Sequence, residues 1–147
     1  MAEKKKVELS KEDKLALAQM AYGENVSEDD DVVKMTVQSA INRLLSGRTK
    51  EFGATIPEIL KRGYYAVSKK NTPYQQAVSQ KFPDIQSKAR FASIQKLVDA
   101  IVGDEDFGKA QFYFTPNEIE KLSKAKKFDF KLVKPRGVVG KYQTFSY

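Results

Sequence analysis

The segment from Leu17 to Arg43 constrains the fold most strongly, because its apolar residues recur at helical spacing. Leu17, Met20 and Ala21 occupy positions i, i+3 and i+4, and Glu24 follows at i+7. These four positions share one face of a helix. The pattern therefore predicts a core-facing helix that carries a carboxylate near its C-terminal end.

The predicted position of Glu24 suits a general acid. Burial disfavours the ionised form of a carboxyl group and so raises its pKa. This is how enzymes keep a catalytic acid protonated near neutral pH. The same spacing also allows Glu24 to point just off the apolar stripe into solvent, so both orientations stay open at this stage.

A second amphipathic helix is predicted after a short acidic interruption at residues 25–31. Ser27 is its expected N-cap, and Glu28 with Asp29–Asp31 would complement the helix dipole in the first turn. That structural role makes Glu28 a weaker catalytic candidate than Glu24. The apolar positions of this helix are Val33, Val37, Ala40, Ile41 and Leu44, and it ends near Leu45.

These two helices resemble the cell-wall hydrolase family of the spore-cortex-lytic enzyme SleB. That family carries a Tyr/Asn-Gly-Glu-x-x-Gly-Glu signature, followed by an apolar helix that ends in Leu-Asn-Arg. Tyr22-Gly23-Glu24 matches the start of the signature, and Glu28 matches its second acid. Asn42 and Arg43 then stand at the family's spacing with no gap.

Later segments extend the resemblance over roughly residues 15–145. The chain has an aromatic turn at Gly63–Tyr65, a run at Phe112–Pro116 similar to the family's Phe-Tyr-x-Asn-Pro, and a closing Gly140–Phe145 similar to its Gly-x-His-x-Phe strand. Four positions depart from the family pattern: Val26 stands for an arginine, Ser27 for a glycine and Thr115 for an asparagine, and the terminal histidine is missing.

The resemblance implies a lysozyme-like α+β fold, mainly helical with a small β-hairpin or sheet. It also implies a muramidase or lytic transglycosylase that cleaves between N-acetylmuramic acid and N-acetylglucosamine, with Glu24 as the acid. Glu28 is the candidate second carboxylate, but its setting is not apolar. Transglycosylation, in which the sugar's own C6 hydroxyl attacks, needs no second carboxylate and is favoured over hydrolysis.

Two aromatic segments are expected to line the substrate cleft, because tyrosine can stack on sugar rings and hydrogen-bond to their hydroxyls. Asn42 and Arg43 are expected to support the site without performing chemistry. Thr115 can either contact the glycan or cap the helix that follows it, and Glu118 favours the capping role. The expected cleft residues are Tyr64 or Tyr65 together with Tyr113, Phe114 and Thr115.

Capping and turn patterns divide the rest of the chain into one domain, residues 10–147, after a flexible charged tail at residues 1–9. Helices are expected to begin at Ser10, Thr55, Thr72, Asp84 or Ser87, and Thr115. Tyr64 and Tyr65 are expected in a loop, Asp104–Asp106 in an acidic loop, and Ala110–Phe114 in a strand. A hairpin is expected from 128–133 and 138–145 around a turn at Pro135–Gly137.

Composition narrows the chemistry, because the chain has neither histidine nor cysteine. Zinc amidases, Cys–His peptidases and Ser–His–Asp hydrolases all lack essential parts here. We expect no metal and no cofactor. A carboxylate-driven attack on the glycan is the route to peptidoglycan cleavage that remains easy to build.

The net charge of +7 lies in the last 27 residues, which hold eight basic side chains and only Asp129 as an acid. Such a segment attracts anionic polymers. It predicts binding of a wall polymer by residues 121–147. It also supports an alternative function, a non-catalytic structural or nucleic-acid-binding module, such as a virion component, on a degenerate lysozyme-like fold. A solvated surface without a partner is equally compatible.

The N-terminal charges are not followed by the apolar stretch of a signal peptide, and no segment approaches the ~20 apolar residues that span a bilayer. We therefore expect no membrane insertion. Access to the wall would then depend on a holin or on incorporation into a phage particle.

Overall fold

Helix α1 lies at the centre of the packing and contacts five other helices. The structure is a computed structural model that describes residues 9–101 and 110–147. Its helices are α1 (Lys11–Asn25), α2 (Asp30–Leu45), α3 (Thr49–Phe52), α4 (Ile56–Gly63), α5 (Tyr65–Ser68), α6 (Thr72–Ser79), α7 (Ile85–Ala100) and α8 (Pro116–Lys124). Its strands are β1 (Phe112–Phe114), β2 (Lys134–Val139) and β3 (Tyr142–Ser146), with a 3₁₀ turn at Phe130–Leu132 before β2.

The apolar stripe of α1 forms the middle of the core, as predicted. Leu17, Met20 and Ala21 are fully buried. Tyr22 is buried beside them, and its ring meets Phe82 and Phe91 edge-on at centroid distances of 5.6 and 5.7 Å. Each such pair contributes about 0.5–1.5 kcal/mol beyond the area that it buries. Helix α7 and the segment that follows α6 are thereby held against the end of α1 that carries Glu24.

Local capping sets most of the helix starts. The Ser10 side chain accepts the Asp13 N–H at 3.1 Å, and Thr55 and Asp84 cap α4 and α7 in the same way. Two predicted caps were wrong. Asp29, not Ser27, caps α2 by accepting the Val32 N–H at 3.1 Å, because Ser27 lies in the turn that ends α1. Thr72 was expected to cap α6, but the cap is Asn71, one residue earlier.

The three strands form an antiparallel sheet in the order β1-β3-β2, with Phe112 opposite Phe145 and Val139 opposite Tyr142. The predicted strand Ala110–Phe114 is present in its second half as β1. The hairpin was placed wrongly. Pro135–Gly137 lies inside β2, at an irregularity in its pairing, and the turn falls at residues 140–141.

An aromatic cluster explains the difference in the hairpin. Residues 128–132 do not extend as a strand, because Asp129 caps a 3₁₀ turn by accepting the Lys131 N–H at 3.0 Å. This turn packs Phe128 and Phe130 against each other, with centroids 4.7 Å apart. The cluster is completed by Phe112, Phe114 and Phe145.

The predicted fold class is confirmed: the chain is mainly helical α+β with a small antiparallel sheet. Of the predicted charged tail at 1–9, residues 1–8 lie outside the described residues, as does the predicted acidic loop Asp104–Asp106. Among the helices that the structure describes, none combines the length and apolarity needed to cross a bilayer.

Candidate active site at the end of helix α1

Gly23 allows two other helices to approach α1 immediately before Glu24. A Cβ atom at Gly23 would lie 2.7 Å from the Ala66 Cβ, 2.9 Å from the Tyr74 Cβ and 3.2 Å from the Asn71 Oδ1. The Asn71 side chain donates to the Gly23 carbonyl at 3.0 Å and so fastens the approaching segment. The Tyr-Gly-Glu sequence thus combines a core ring, a close contact and an acid.

The carboxyl group of Glu24 is held by the start of α5. The Ala66 N–H donates to Glu24 Oε1 at 2.9 Å, and the Tyr65 N–H also contributes a hydrogen bond. Burial raises the pKa of Glu24 above its usual value of 4.5. The Ala66 N–H opposes this rise, and the negative charge of Glu118 adds to it. Of the two orientations that the sequence left open, the structure adopts the partly buried one.

The pKa of Glu24 is raised in a setting that contains no opposing cation among the described residues. Within residues 9–101 and 110–147, no lysine or arginine pairs with its carboxylate. A paired cation would lower the pKa, whereas burial with only backbone donors leaves it raised. A carboxyl group anchored through one oxygen can carry a proton on the other, as a general acid requires.

Two of the predicted tyrosines, Tyr64 and Tyr113, lie close to each other and to Glu24. Their ring centroids are 6.5 Å apart. Burial is the main cause that raises the pKa of each tyrosine, and the negative charge of Glu24 contributes to both rises. Both phenols therefore stay neutral hydrogen-bonding groups beside the acid.

Polar residues on the buried face of α2 hold these phenols in place, and the sequence reasoning missed them. The Ser39 hydroxyl donates to the Thr36 carbonyl at 2.7 Å, so the Tyr64 hydroxyl donates to Ser39 at 2.5 Å. The Thr36 hydroxyl bonds to Tyr113 and accepts the side-chain N–H of Asn25 at 2.6 Å. The available signal was the i, i+3, i+7 spacing of Thr36, Ser39 and Arg43, which places these three polar residues on one face of α2.

Asn42 and Arg43 fasten the segment that leads into β1. The Asn42 side chain donates to the Ala110 carbonyl at 2.8 Å, and the Arg43 Nε donates to the Gln111 carbonyl at 2.7 Å. Both acceptors lie just before Tyr113. The pair therefore contacts the site through the backbone of the segment before β1, and the expected supporting role stays a prediction.

Arg43 is a buried cation surrounded by aromatic rings. Its guanidinium carbon lies 5.1 Å from the ring centroid of Phe52, and 5.0 Å from those of Tyr64 and Phe112. No carboxylate pairs with it among the residues described. Cation–π attraction of about 0.5–2 kcal/mol per ring helps to offset the cost of its burial.

Glu28, the candidate second carboxylate, is engaged elsewhere. Its Oε1 lies 3.0 Å from the Nζ of Lys141, and its backbone carbonyl accepts from Arg90 at 2.7 Å. Glu28 lines a surface depression of about 450 Å³ with Asp29–Asp31 and Arg90, and Glu24 does not line this depression. A carboxylate paired with lysine is a poor partner for chemistry at Glu24.

The other predicted cleft residues lie around the site in different ways. Tyr65 was expected in a loop but begins α5, with 66% of its surface exposed against 2% for Tyr64. Phe114 faces away from Tyr113, because residues of a strand alternate, and it packs into the aromatic cluster. Thr115 caps α8: its hydroxyl accepts the Glu118 N–H at 3.3 Å and donates to Glu118 Oε1 at 3.0 Å.

Glu118 and Tyr142 join the site without having been predicted. Glu118 completes the capping box and is exposed, and its charge acts on Glu24 and on Tyr142. The Tyr142 ring packs edge-on against Tyr113 at 5.3 Å. No sequence signal connects these residues with Glu24, because only the packing of β1 and β3 brings them near it.

No group of three or more histidine, cysteine or acidic side chains is placed to hold a metal ion, within the part of the chain that the structure describes. All eight cations of residues 121–147 are exposed. Two of them form ion pairs with described acids, Lys124 with Glu120 and Lys141 with Glu28.

Comparison with models of protein families, with curated proteins and with solved structures returns no match to this chain. The family resemblance therefore depends on the motifs alone, and the lysozyme-like fold and the activity that it implies stay predictions.

Proposed function

We propose that this protein cleaves the glycan strands of peptidoglycan between N-acetylmuramic acid and N-acetylglucosamine, with Glu24 as the acid. One observation carries the proposal: a partly buried carboxyl group with a raised pKa is anchored by the Ala66 N–H and lacks a cationic partner among the described residues. Such groups are characteristic of the acids of glycoside-cleaving enzymes.

The reaction can proceed with Glu24 alone. The protonated carboxyl donates its proton to the glycosidic oxygen while the bond from C1 to that oxygen breaks. The C6 hydroxyl of the same muramyl residue then attacks C1, and the Glu24 carboxylate accepts the hydroxyl proton. The product is a 1,6-anhydro sugar, no water is consumed, and the acid is regenerated.

The surroundings of Glu24 favour this transglycosylase outcome over hydrolysis. A hydrolase of this type needs a second carboxylate to act as nucleophile or to activate water. Glu28 is paired with Lys141, and Glu118 Oε1 accepts both the N–H and the hydroxyl of Thr115. The hydroxyls of Tyr64 and Tyr113 are already bound by Ser39 and Thr36, and the exposed Tyr65 is the tyrosine available for contact with the sugar.

Digestion of purified sacculi, followed by mass spectrometry of the fragments, tests the proposal. Anhydromuramyl ends are expected for transglycosylation, and reducing ends would indicate a muramidase. Glu24→Gln should remove nearly all cleavage, since positioned proton transfer contributes roughly 10²–10⁴-fold and acts twice here. Cleavage by the Gln variant at the wild-type rate would refute the assignment of the acid.

The stability of Glu24→Gln separates lost chemistry from lost folding. Because the folded-state pKa of Glu24 lies above its usual value, the folded state loses stability as pH rises from that value through the raised pKa. Glutamine never ionises and can still accept the Ala66 N–H. The variant should therefore be at least as stable as wild type at neutral pH.

A non-catalytic module is the second candidate, and two observations favour it. The hydrogen bond from Ala66 gives Glu24 a structural role as a cap for α5. The exposed cations of residues 121–147 supply a binding surface that needs no chemistry. Undigested sacculi in the same assay, together with retention of the protein on them, would support this reading. Delivery of the protein to the wall by a holin or a phage particle is compatible with both candidate functions and stays a prediction.

A further inference from the structure

A surface depression of about 470 Å³ lies between the end of α8 and the 3₁₀ turn, where the net positive charge is concentrated. Glu24 and the tyrosines of the candidate active site do not line it. Its lining residues are Ser123, Lys126, Phe128, Asp129, Phe130 and Lys131. We call it the α8 groove.

The groove has a firm apolar floor. Phe128 and Phe130 are partly buried, and their rings are held edge-on by Phe112 and Phe114 at 4.9 and 5.6 Å. Each of these partly buried rings contacts three other aromatic rings, which leaves little of it open as a platform for stacking. Both rings still line the groove and present carbon to a ligand in it.

The rim of the groove is cationic. Lys126 and Lys131 are exposed, and neither forms an ion pair within the described part of the chain. The one acid in the lining, Asp129, uses its Oδ1 to accept the Lys131 backbone N–H at 3.0 Å. Further exposed lysines stand close to these residues in the sequence, at positions 121, 127 and 134.

We propose that the α8 groove binds the phosphodiester-linked anionic polymer of a bacterial cell wall, with phosphate between Lys126 and Lys131. Charge complementarity selects a polyanion. The carbon of the two partly covered phenylalanines suits the carbon chain of a polyol or a sugar. Single-stranded nucleic acid uses open aromatic faces on which bases stack. The proposed function also acts on the wall, but binding at this groove does not require cleavage.

Lys126 offers a variant that removes a cation without weakening the fold. Its backbone φ is +54°, in the left-handed region, at the end of α8. Glycine adopts this conformation with no steric cost and is the usual residue at such a helix end. Lys126→Gly should therefore keep or raise stability, so a loss of binding would not reflect unfolding.

The test measures retention of Lys126→Gly/Lys131→Gln on sacculi that carry polyglycerol phosphate, on the same sacculi stripped of it, and on single-stranded DNA. The matched control, Lys81→Gln/Lys88→Gln, removes two exposed lysines that do not line the groove. For the groove variant we expect at least a tenfold loss of affinity at about 50 mM salt. The slope of log affinity against log salt concentration should fall by the equivalent of about two phosphate contacts. The control should be retained like the wild-type protein.

Three results would overturn the inference: unchanged retention of the groove variant, equal retention of the wild-type protein on stripped sacculi, or a loss of DNA binding with sacculus binding intact. The measurements are repeated with Glu24→Gln, where the same ratios are expected. Failure of cleavage together with groove-dependent retention would reject the proposed function alone. Cleavage without groove-dependent retention would reject this inference alone.

Discussion

Replacement of Gly23 by alanine tests whether close packing at the end of α1 positions the acid. The new Cβ would lie 2.7 Å from the Ala66 Cβ, so α5 must withdraw by at least about 0.7 Å to reach 3.4 Å, the near limit of ordinary contact. The Ala66 N–H bond to Glu24 is 2.9 Å long, so a withdrawal of that size along the bond would carry it beyond hydrogen-bonding distance.

Two opposing effects set the stability of Gly23→Ala. Alanine stabilises a helix interior by roughly 0.5–1 kcal/mol relative to glycine. Overpacking of a filled site costs about 1–3 kcal/mol. Because both Ala66 and Tyr74 oppose the new methyl group through their Cβ atoms, which cannot rotate away, we expect the second effect to prevail. The net destabilisation should be about 1–2 kcal/mol by urea denaturation.

The effect of Gly23→Ala on the acid can be measured with or without an activity assay. The Ala66 amide resonance should shift in NMR spectra, and its hydrogen exchange should accelerate. Cleavage of sacculi should fall about 10²-fold, since a displacement near 1 Å at an active site has that effect. A double-mutant cycle with Ala66→Gly, which removes the nearest opposing carbon, should show positive coupling.

A Gly23→Ala variant that is as stable as wild type or more so, with an unchanged Ala66 amide, would refute this reasoning. It would mean that α5 and α6 do not depend on the missing side chain. Glu24 would then be positioned by something other than the close approach at Gly23.

Three further changes probe the surroundings of the acid. Glu118→Gln keeps a residue able to complete the capping box but removes the negative charge that helps to raise the pKa of Glu24. The alkaline limb of the pH–rate profile should therefore move to lower pH. An unmoved limb would show that the charge of Glu118 does not act on the acid. Gly63→Ala places a Cβ 1.9 Å from Arg43 Nη1, where the guanidinium is surrounded by aromatic rings. It should destabilise the protein by about 1–3 kcal/mol in thermal or urea unfolding. A neutral effect would show that the guanidinium can shift freely. Asn42→Ala leaves the Ala110 carbonyl without the Asn42 donor and should lower the free energy of unfolding by about 1–3 kcal/mol. Melting temperature and activity should fall together. Loss of activity alone would indicate direct contact with substrate.

The sequence by itself determined the parts of this protein that depend on near neighbours in the chain. A cap joins residues three positions apart, so Ser10, Thr55 and Thr115 were sufficient to locate the starts of α1, α4 and α8. Helical spacing likewise placed the buried stripe of α1 and the acid at its end. At the start of α2 the pattern predicted Ser27 as the cap, whereas Asp29 caps the helix, because both residue types are good N-caps.

Only the tertiary structure decided how the site is assembled, because its contacts join residues far apart in sequence. The N–H that holds Glu24 belongs to Ala66, 42 positions later. Of the adjacent tyrosines, packing buries Tyr64 against Arg43 and leaves Tyr65 exposed. The aromatic cluster similarly drew residues 128–132 out of the predicted hairpin. Glu118 was visible in the sequence only as a helix cap, and its effect on Glu24 follows from the place where the fold puts β1 and α8.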